Sequence, residues 1–268
     1  MSGPLGGRST EVRRDRMWHV IGIASLALLS GSLIGTVGIG GVLLVPCLTF
    51  VGIDVHVAVA ATMFSFLFSG AAGALLYWRA GSIDWRSAMW LGSGAMPGAL
   101  TGAMLASRLD ARALLGLIGI VVIATGIRAL SSPERVGESD RLIRPVPLLL
   151  LGVAIGTVSA MVGTGGPLLL VPLLMWLRVP VRAAVGLGQA IQIPIAGLAT
   201  LGNLMTARFD PGLGIVLGLG VAVGTAFGAR VAHAAPLALL SRFVALVLLF
   251  VGALVLARSW QAFAGVLT

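Results

Sequence analysis

Gly35-Thr36-Val37-Gly38-Ile39-Gly40-Gly41-Val42-Leu43-Leu44-Val45-Pro46 interrupts a long apolar run, and the interruption returns as Gly156-Thr157-Val158-Ser159-Ala160-Met161-Val162-Gly163-Thr164-Gly165-Gly166-Pro167-Leu168-Leu169-Leu170-Val171-Pro172. Each copy sets a glycine cluster and a proline inside otherwise apolar sequence. In water such a stretch would be a loop. In lipid, irregular backbone is tolerated only where protein buries it or where it lines a cavity. Glycine-broken hydrophobic segments at matching positions of two halves point to a solute site between them.

The rest of the chain supports a membrane setting. Of its 268 residues, 58% are hydrophobic and only 10% charged, against about a quarter charged in soluble domains. Mean hydropathy is +1.05. All 18 basic residues are Arg, and the net charge is +9. The arginines stand singly between apolar runs and form no basic face, so nucleic acid is not an expected partner. The lipid bilayer is. A single cysteine, Cys47, excludes an intrachain disulfide. His19, His56 and His233 are far apart and lack Cys or paired carboxylate neighbours, so neither a metal nor another cofactor is expected. Arg8, Arg13, Arg14 and Arg16 precede an apolar run too long for a signal peptide. The run reads as a retained first span with a cytoplasmic N-terminus.

Charge-free blocks cover 17–53, 55–78, 87–107, 113–127, 145–177, 183–207, 211–229 and 243–257, and all nine acidic residues fall outside them. A spanning helix needs about 20 apolar residues. The shorter blocks reach that length with arginines that snorkel. Blocks 17–53 and 145–177 are too long: 37 residues of straight helix would reach about 55 Å against a core of about 30 Å. Each is either one strongly bent crossing or a two-limbed hairpin. Eight crossings put 12 arginines inside and six outside, whereas two hairpins give about eight and ten. The positive-inside rule favours the first.

The expected fold is therefore all-α: a polytopic integral membrane protein of two tandem four-span repeats, about eight transmembrane helices, in parallel relation. Its parts are a cytoplasmic tail 1–16, repeat 17–130, polar linker 131–145, repeat 146–258 and C-terminal tail 259–268. The glycine motifs align at an offset of 125, and Ser82-Ile83-Asp84, Gly98 and Gly102 answer Arg208-Phe209-Asp210, Gly224 and Gly228 at 126. Gly98-x-x-x-Gly102 and Gly224-x-x-x-Gly228 read as faces for close helix packing. Trp18, Trp78, Trp85, Trp90, Trp176 and Trp260 fall near span ends, as interfacial anchors do.

Few polar side chains lie within the blocks. Thr62 and Ser65 stand in the first half; Thr164, Gln189 and Gln192 stand in the second. Gln189 and Gln192 share a helix face, which must point inward because amides facing lipid are costly. Helices starting after Gly41 and Gly166 would aim free N–H groups at the breaks, and such N-termini bind anions. Pro167 suits a first helical turn. The candidate substrate-binding residues are therefore Gly38, Gly40, Gly41, Thr62, Ser65, Gly163, Thr164, Gly165, Gly166, Gln189 and Gln192, with no catalytic or metal residue among them. The expected partner is a small anion. No Asp or Glu lies within a span, which weakens the case for proton coupling and leaves His56, at a span end, as its one candidate. Membrane potential alone, worth about 2.3 kcal/mol per charge at 100 mV, would drive a monovalent anion out.

The two G-x-G-G…V-P blocks, with Asp54-Val55-His56-Val57-Ala58-Val59-Ala60-Ala61-Thr62 after the first and Pro180-Val181-Arg182-Ala183-Ala184-Val185-Gly186 after the second, resemble the TauE/SafE family of membrane permeases. Gly81-Ser82-Ile83-Asp84-Trp85-Arg86 and Pro97-Gly98 extend the resemblance over about residues 20–257. It implies a two-repeat plasma-membrane permease for sulfite or organosulfonates, usually exporting. Val42 and Pro167 stand where the family has a third glycine. Two alternatives remain. A carrier for a sugar would favour aromatic stacking, and Phe64, Phe66 and Phe68 are the only cluster; one for a cation would favour an embedded carboxylate. A membrane-embedded hydrolase would need a base beside Ser65 or Ser159. The chain is compatible with a homo-oligomer.

Overall fold

The structure, a computed structural model, describes residues 6–38, 40–131, 145–177, 179–205, 209–231, 246 and 249–257. The described residues are helical, without strands. In chain order they form α1 (Gly6–Val37), a 3-10 turn (Gly40–Leu43), α2 (Leu44–Phe50), α3 (Val55–Arg79), α4 (Trp85–Arg108), α5 (Ala111–Ser131), α6 (Pro145–Val162), α7 (Pro167–Trp176), α8 (Val181–Met205) and α9 (Pro211–Val231). Residues 249–257 are also helical. Within α3, α6, α8 and α9 lie four stretches long and apolar enough to cross a membrane. Ile21–Thr36, Gly40–Phe50 and Ala111–Ile127 are shorter apolar helical stretches. α1 begins well before the apolar block and carries the four N-terminal arginines along its first turns. Most of the linker and the C-terminal tail lie outside the described residues, as does Trp260. Trp78, Trp85 and Trp90 are exposed, the first two edge to face.

Three of the acidic residues between blocks serve as helix caps. The Asp54 carboxylate accepts from the N–H groups of His56 and Val57 and starts α3. Asp84 accepts from Arg86 N–H at α4, and Asp210 from Leu213 N–H at α9. Each satisfies an N–H that a helix start leaves without an intrahelical acceptor.

Glycine contacts fix the helix directions. Gly31 and Gly35 of α1 lie against Val221 and Thr225 of α9, so these two run parallel. Phe64 and Phe68 of α3 pack on Gly214 and Gly218, so α3 runs parallel to α9 as well. Therefore α1 and α3 point the same way, and residues 38–54 must carry the chain back. In the second half, Gly94, Gly98 and Gly102 of α4 lie against Leu149, Val153 and Thr157 of α6. Gly92 and Gly202 likewise set α4 parallel to α8, beside Pro194 and Ala103. So α6 and α8 also share a direction, and the second break returns the chain in the same way. Gly70 beside Ile193 and Gly73 beside Gln189 make α3 and α8 antiparallel.

These directions correct two expectations. Both long blocks are two-limbed rather than bent crossings, and the corresponding helices α1 and α6 run oppositely rather than in parallel. The physical cause is local. After α1 the 3-10 turn folds back onto it, with Gly40 set on the Ser30 carbonyl and beside Ile34. Under the two-limbed arrangement the arginines divide about eight to ten, so they no longer favour an orientation for the N-terminus.

The two large interfaces correspond residue for residue. Gly98 on Val153 and Gly102 on Thr157 answer Gly224 on Leu28 and Gly228 on Ser32. The offsets are 126 on the glycine side and 125 on the other. In each pair the glycine lets a neighbouring carbonyl approach to where a Cβ would stand, the close crossing that small residues permit in membranes.

Candidate functional site

The two glycine breaks meet. Gly38 lies beside Pro167 and Val171 of α7, and a Cβ at Gly41 would stand 3.4 Å from the Thr164 carbonyl oxygen. Gly163 packs on Val45 of α2 and Val59 of α3, and Gly166 on Ile195 of α8. Gly38, Gly163, Gly165 and Gly166 all have positive φ, between 75° and 107°. An L-residue there costs about 1–2 kcal/mol, which is why glycine recurs.

The expected pair of opposed helix starts is realised on one side only. α7 begins at Pro167 directly after Gly166, and the N–H groups of Leu169 and Leu170 both turn to the Gly166 carbonyl at 3.2 and 3.1 Å. Pro167 has no N–H, which leaves those of Gly166 and Leu168 without an intrahelical acceptor. In the first half, helical geometry starts at Gly40, not after Gly41, and passes through Leu43 into α2 without a side-chain cap. That turn packs on α1 instead of opposing α7.

All the residues nominated from sequence are buried. Gly38, Gly41 and Gly163–Gly166 come together at the junction; Gly40 does not, since it faces Ser30, Leu33 and Ile34 of α1. The hydroxyls of Thr62 and Thr164 and the Oε1 atoms of Gln189 and Gln192 are buried without a hydrogen-bond partner. Gln189 donates from Nε2 to the Ile34 carbonyl at 3.3 Å, and its amide fills the space left by Gly73. Gln192 packs on Gly70. Both glutamines thus face the protein interior. Ser65 uses its proton within α3, donating to the Thr62 carbonyl at 2.7 Å.

Sequence reasoning missed four residues here. The Phe66 ring is fully buried between Gly41 and Gly165. The Ser30 and Ser159 hydroxyls are buried without partners, and the Ser159 carbonyl accepts from the N–H groups of Gly163 and Thr164. Tyr77 donates its hydroxyl to the Gly35 carbonyl at 2.9 Å and ties the end of α3 to α1 just before the break. A signal for Phe66 was present, because it answers Gln192 at the offset of 126. Its neighbours Phe64 and Phe68 pack against Gly214 and Gly218 and take no part in the junction.

The site is electrically neutral. Among the described residues, the buried polar side chains are Ser, Thr, Gln, Asn and His, with no Asp, Glu or Arg. His56 sits in the first turn of α3, with Nε2 3.1 Å from the Leu109 carbonyl and Nδ1 3.4 Å from the Asp54 carboxylate. It is ten residues before Phe66, about 15 Å along the helix, and so lies away from the junction. Cavities occur towards the two ends of α3: one of about 270 Å³ beside Tyr77 and Arg230, another of about 220 Å³ beside Thr49, Asp54 and Ala111. The junction itself is closed. Hydroxyl and N–H donors in such a buried junction can hold a small anion, whereas the Oε1 atoms of Gln189 and Gln192 accept only.

A family model described as sulfite exporter TauE/SafE matches residues 23–255. The chain belongs to the TauE/SafE family. It is 27% identical over 197 residues to a probable membrane transporter protein of Methanocaldococcus jannaschii, covering 69% of this chain and 73% of that one. Similarity to the probable membrane transporter protein YdhB of Bacillus subtilis is 25% over 242 residues, 87% of this chain and 99% of the relative. A probable membrane transporter protein of Xylella fastidiosa is 27% identical over 249 residues, 87% and 94% of the two chains. No solved structure matches. The protein is a membrane transporter of the TauE/SafE family, and its two glycine breaks meet inside the interface between its halves.

Proposed function

We propose that this TauE/SafE transporter carries small sulfur-containing anions, sulfite or organosulfonates, out across the plasma membrane through the junction of its two glycine breaks. The two halves are an inverted repeat, supported by the matched glycine interfaces and by the opposite directions of α1 and α6. Such a pair gives alternating access by rocking one half against the other about a fixed midplane site. The observation that carries the reading is the neutral, buried junction. It combines unpartnered hydroxyls, two amides and a helix start on positive-φ glycines, and no carboxylate among the described residues enters it. The hydroxyls and the helix-start N–H groups can donate to an anion, and with no described carboxylate in the junction a cation would meet no counter-charge. No coupling group is required, since an anion gains about 2.3 kcal/mol on leaving a cell held at −100 mV.

Proteoliposomes loaded with sulfite, with the potential clamped by potassium and valinomycin, test this directly. Efflux should rise with the potential and be lost in Gly165→Leu. Absence of sulfite or organosulfonate flux under every potential and pH gradient would refute the substrate class. Undiminished flux in Gly165→Leu would move the site away from the junction.

A further inference from the structure

Phe66 occupies the centre of the closed junction. Its side chain is fully buried. A Cβ at Gly41 would stand 2.6 Å from Cζ and 3.1 Å from Cε1 of the ring; a Cβ at Gly165 would stand 2.5 Å from Cδ2 and 2.9 Å from Cε2. One ring therefore fills the space that a glycine in each break leaves open. Polar groups without partners flank it along α3, α8 and the second break. Thr62 lies one helical turn before it on the same face of α3, Thr164 adjoins Gly165, and Gln192 packs on Gly70 one turn after it. A buried polar group left unpaired costs roughly 1–3 kcal/mol. Three of them near an apolar ring make a poor core, and they are better explained as groups that meet a solute when the ring moves out. At the place related to Phe66 by the repeat stands Gln192, an amide. The site thus has an aromatic wall on one side and a hydrogen-bonding wall on the other.

We propose that Phe66 is the plug and size filter of the transport site: its ring closes the junction between Gly41 and Gly165, and the space it vacates sets how large a solute can pass. This rests on the reading of the junction as the solute site. The ring edge, which carries the positive part of the aromatic quadrupole, is what an arriving anion would meet.

Two measurements test it. The first is flux of sulfite, methanesulfonate and benzenesulfonate in proteoliposomes of the wild type, Phe66→Ala and Phe66→Trp. Phe66→Ala should raise the benzenesulfonate-to-sulfite flux ratio by roughly tenfold or more, the discrimination that a pocket-volume change supplies. Phe66→Trp should lower the ratio of methanesulfonate to sulfite. An unchanged size profile in both variants overturns the filter. Where Phe66→Ala does not fold, Phe66→Leu serves with a smaller shift in the same direction.

The second measurement needs no substrate. In full-length protein with Cys47→Ser and Thr164→Cys, the new thiol is the only one. Its modification by a sulfonated methanethiosulfonate reagent should be slow with Phe66 present and roughly tenfold faster with Phe66→Ala or Phe66→Leu, the factor of about 1.4 kcal/mol of blocking. Equal rates with and without the ring overturn the plug, whatever the protein transports. If no sulfur anion moves but the labelling rates separate, the substrate assignment fails and the plug stands.

Discussion

The two breaks are alike in sequence and different in what they touch. Gly40, in the first, is pressed against the backbone of α1, the carbonyl of Ser30 and the N–H of Ile34, whereas Gly38 and Gly41 of the same break face the side chains of Val171 and Phe66. Gly163, Gly165 and Gly166, in the second, face side chains of other helices: Val45, the Phe66 ring and Ile195. The second also holds three of the positive-φ glycines and opens a ten-residue helix, whereas the first passes through a buried 3-10 turn into a seven-residue one. Backbone against backbone is a clamp, because neither partner can move without unwinding a helix. Backbone against side chains can open, because rotamers can change. The comparison makes Gly40 the clamp of the fold and, on the proposed function, makes the side-chain-facing glycines the part that opens.

The largest effect should therefore come from the smallest change at the first break. In Gly40→Ala the added methyl falls on the Ser30 carbonyl and within 2.5 Å of the Leu33 Cβ. Overpacking of this kind costs about 3 kcal/mol, and the melting midpoint should fall by roughly 10 °C or the protein should not assemble. A thermal melt of detergent-solubilised protein followed by size-exclusion chromatography reads this. A wild-type melt would show that the turn is not clamped.

Gly165→Ala should be milder in stability and specific in function. The strain at φ +75° is fixed by the backbone, about 1–2 kcal/mol, but the collision is with the Phe66 ring, which can move. The variant should fold, melt a few degrees lower and lose most of its flux. Adding Phe66→Leu should recover part of the stability, with a coupling energy of about 0.5–3 kcal/mol in the double-mutant cycle. Strict additivity would mean that the ring and the glycine do not share one space, and the proposed contrast between the breaks would lose its basis.

How much of this was written in the residues differs by level. The membrane class, the helical fold and the pairing of the breaks follow from apolar blocks, from glycines at fixed offsets and from prolines, all of which act through local chemistry. The direction of the chain through the breaks was not legible. It depended on weighing arginine counts of 12 and six against eight and ten, a weak electrostatic preference that the close packing of Gly40 on α1 overrides. Gln189 and Gln192 were found because two amides in an apolar run must face inward. Phe66 was not, because its one signal, the match to Gln192 at an offset of 126, does not separate it from core until its neighbours in space are known. Those neighbours, Gly41 and Gly165, are 25 and 99 residues away.

The finest distinction between the breaks rests on two hydroxyls. Ser30 stands beside Gly40, Thr164 beside Gly165, and both hydroxyls are buried without a partner. Removing either should leave stability unchanged or raise it by about 1 kcal/mol, because an unsatisfied buried group is lost. On stability alone Ser30→Ala and Thr164→Val should look the same. On transport they should part. Ser30 lies on the clamped side, and its variant should keep sulfite flux. Thr164 lies where the anion is proposed to bind, and a hydrogen bond to a charged group contributes about 1.5–3 kcal/mol, so Thr164→Val should lose roughly tenfold or more in apparent affinity. Equal flux in the two variants would make the second break as purely structural as the first. A loss confined to Ser30→Ala would reverse their roles and place the solute on the 3-10 turn, where α1 and α2 alone would have to open for it.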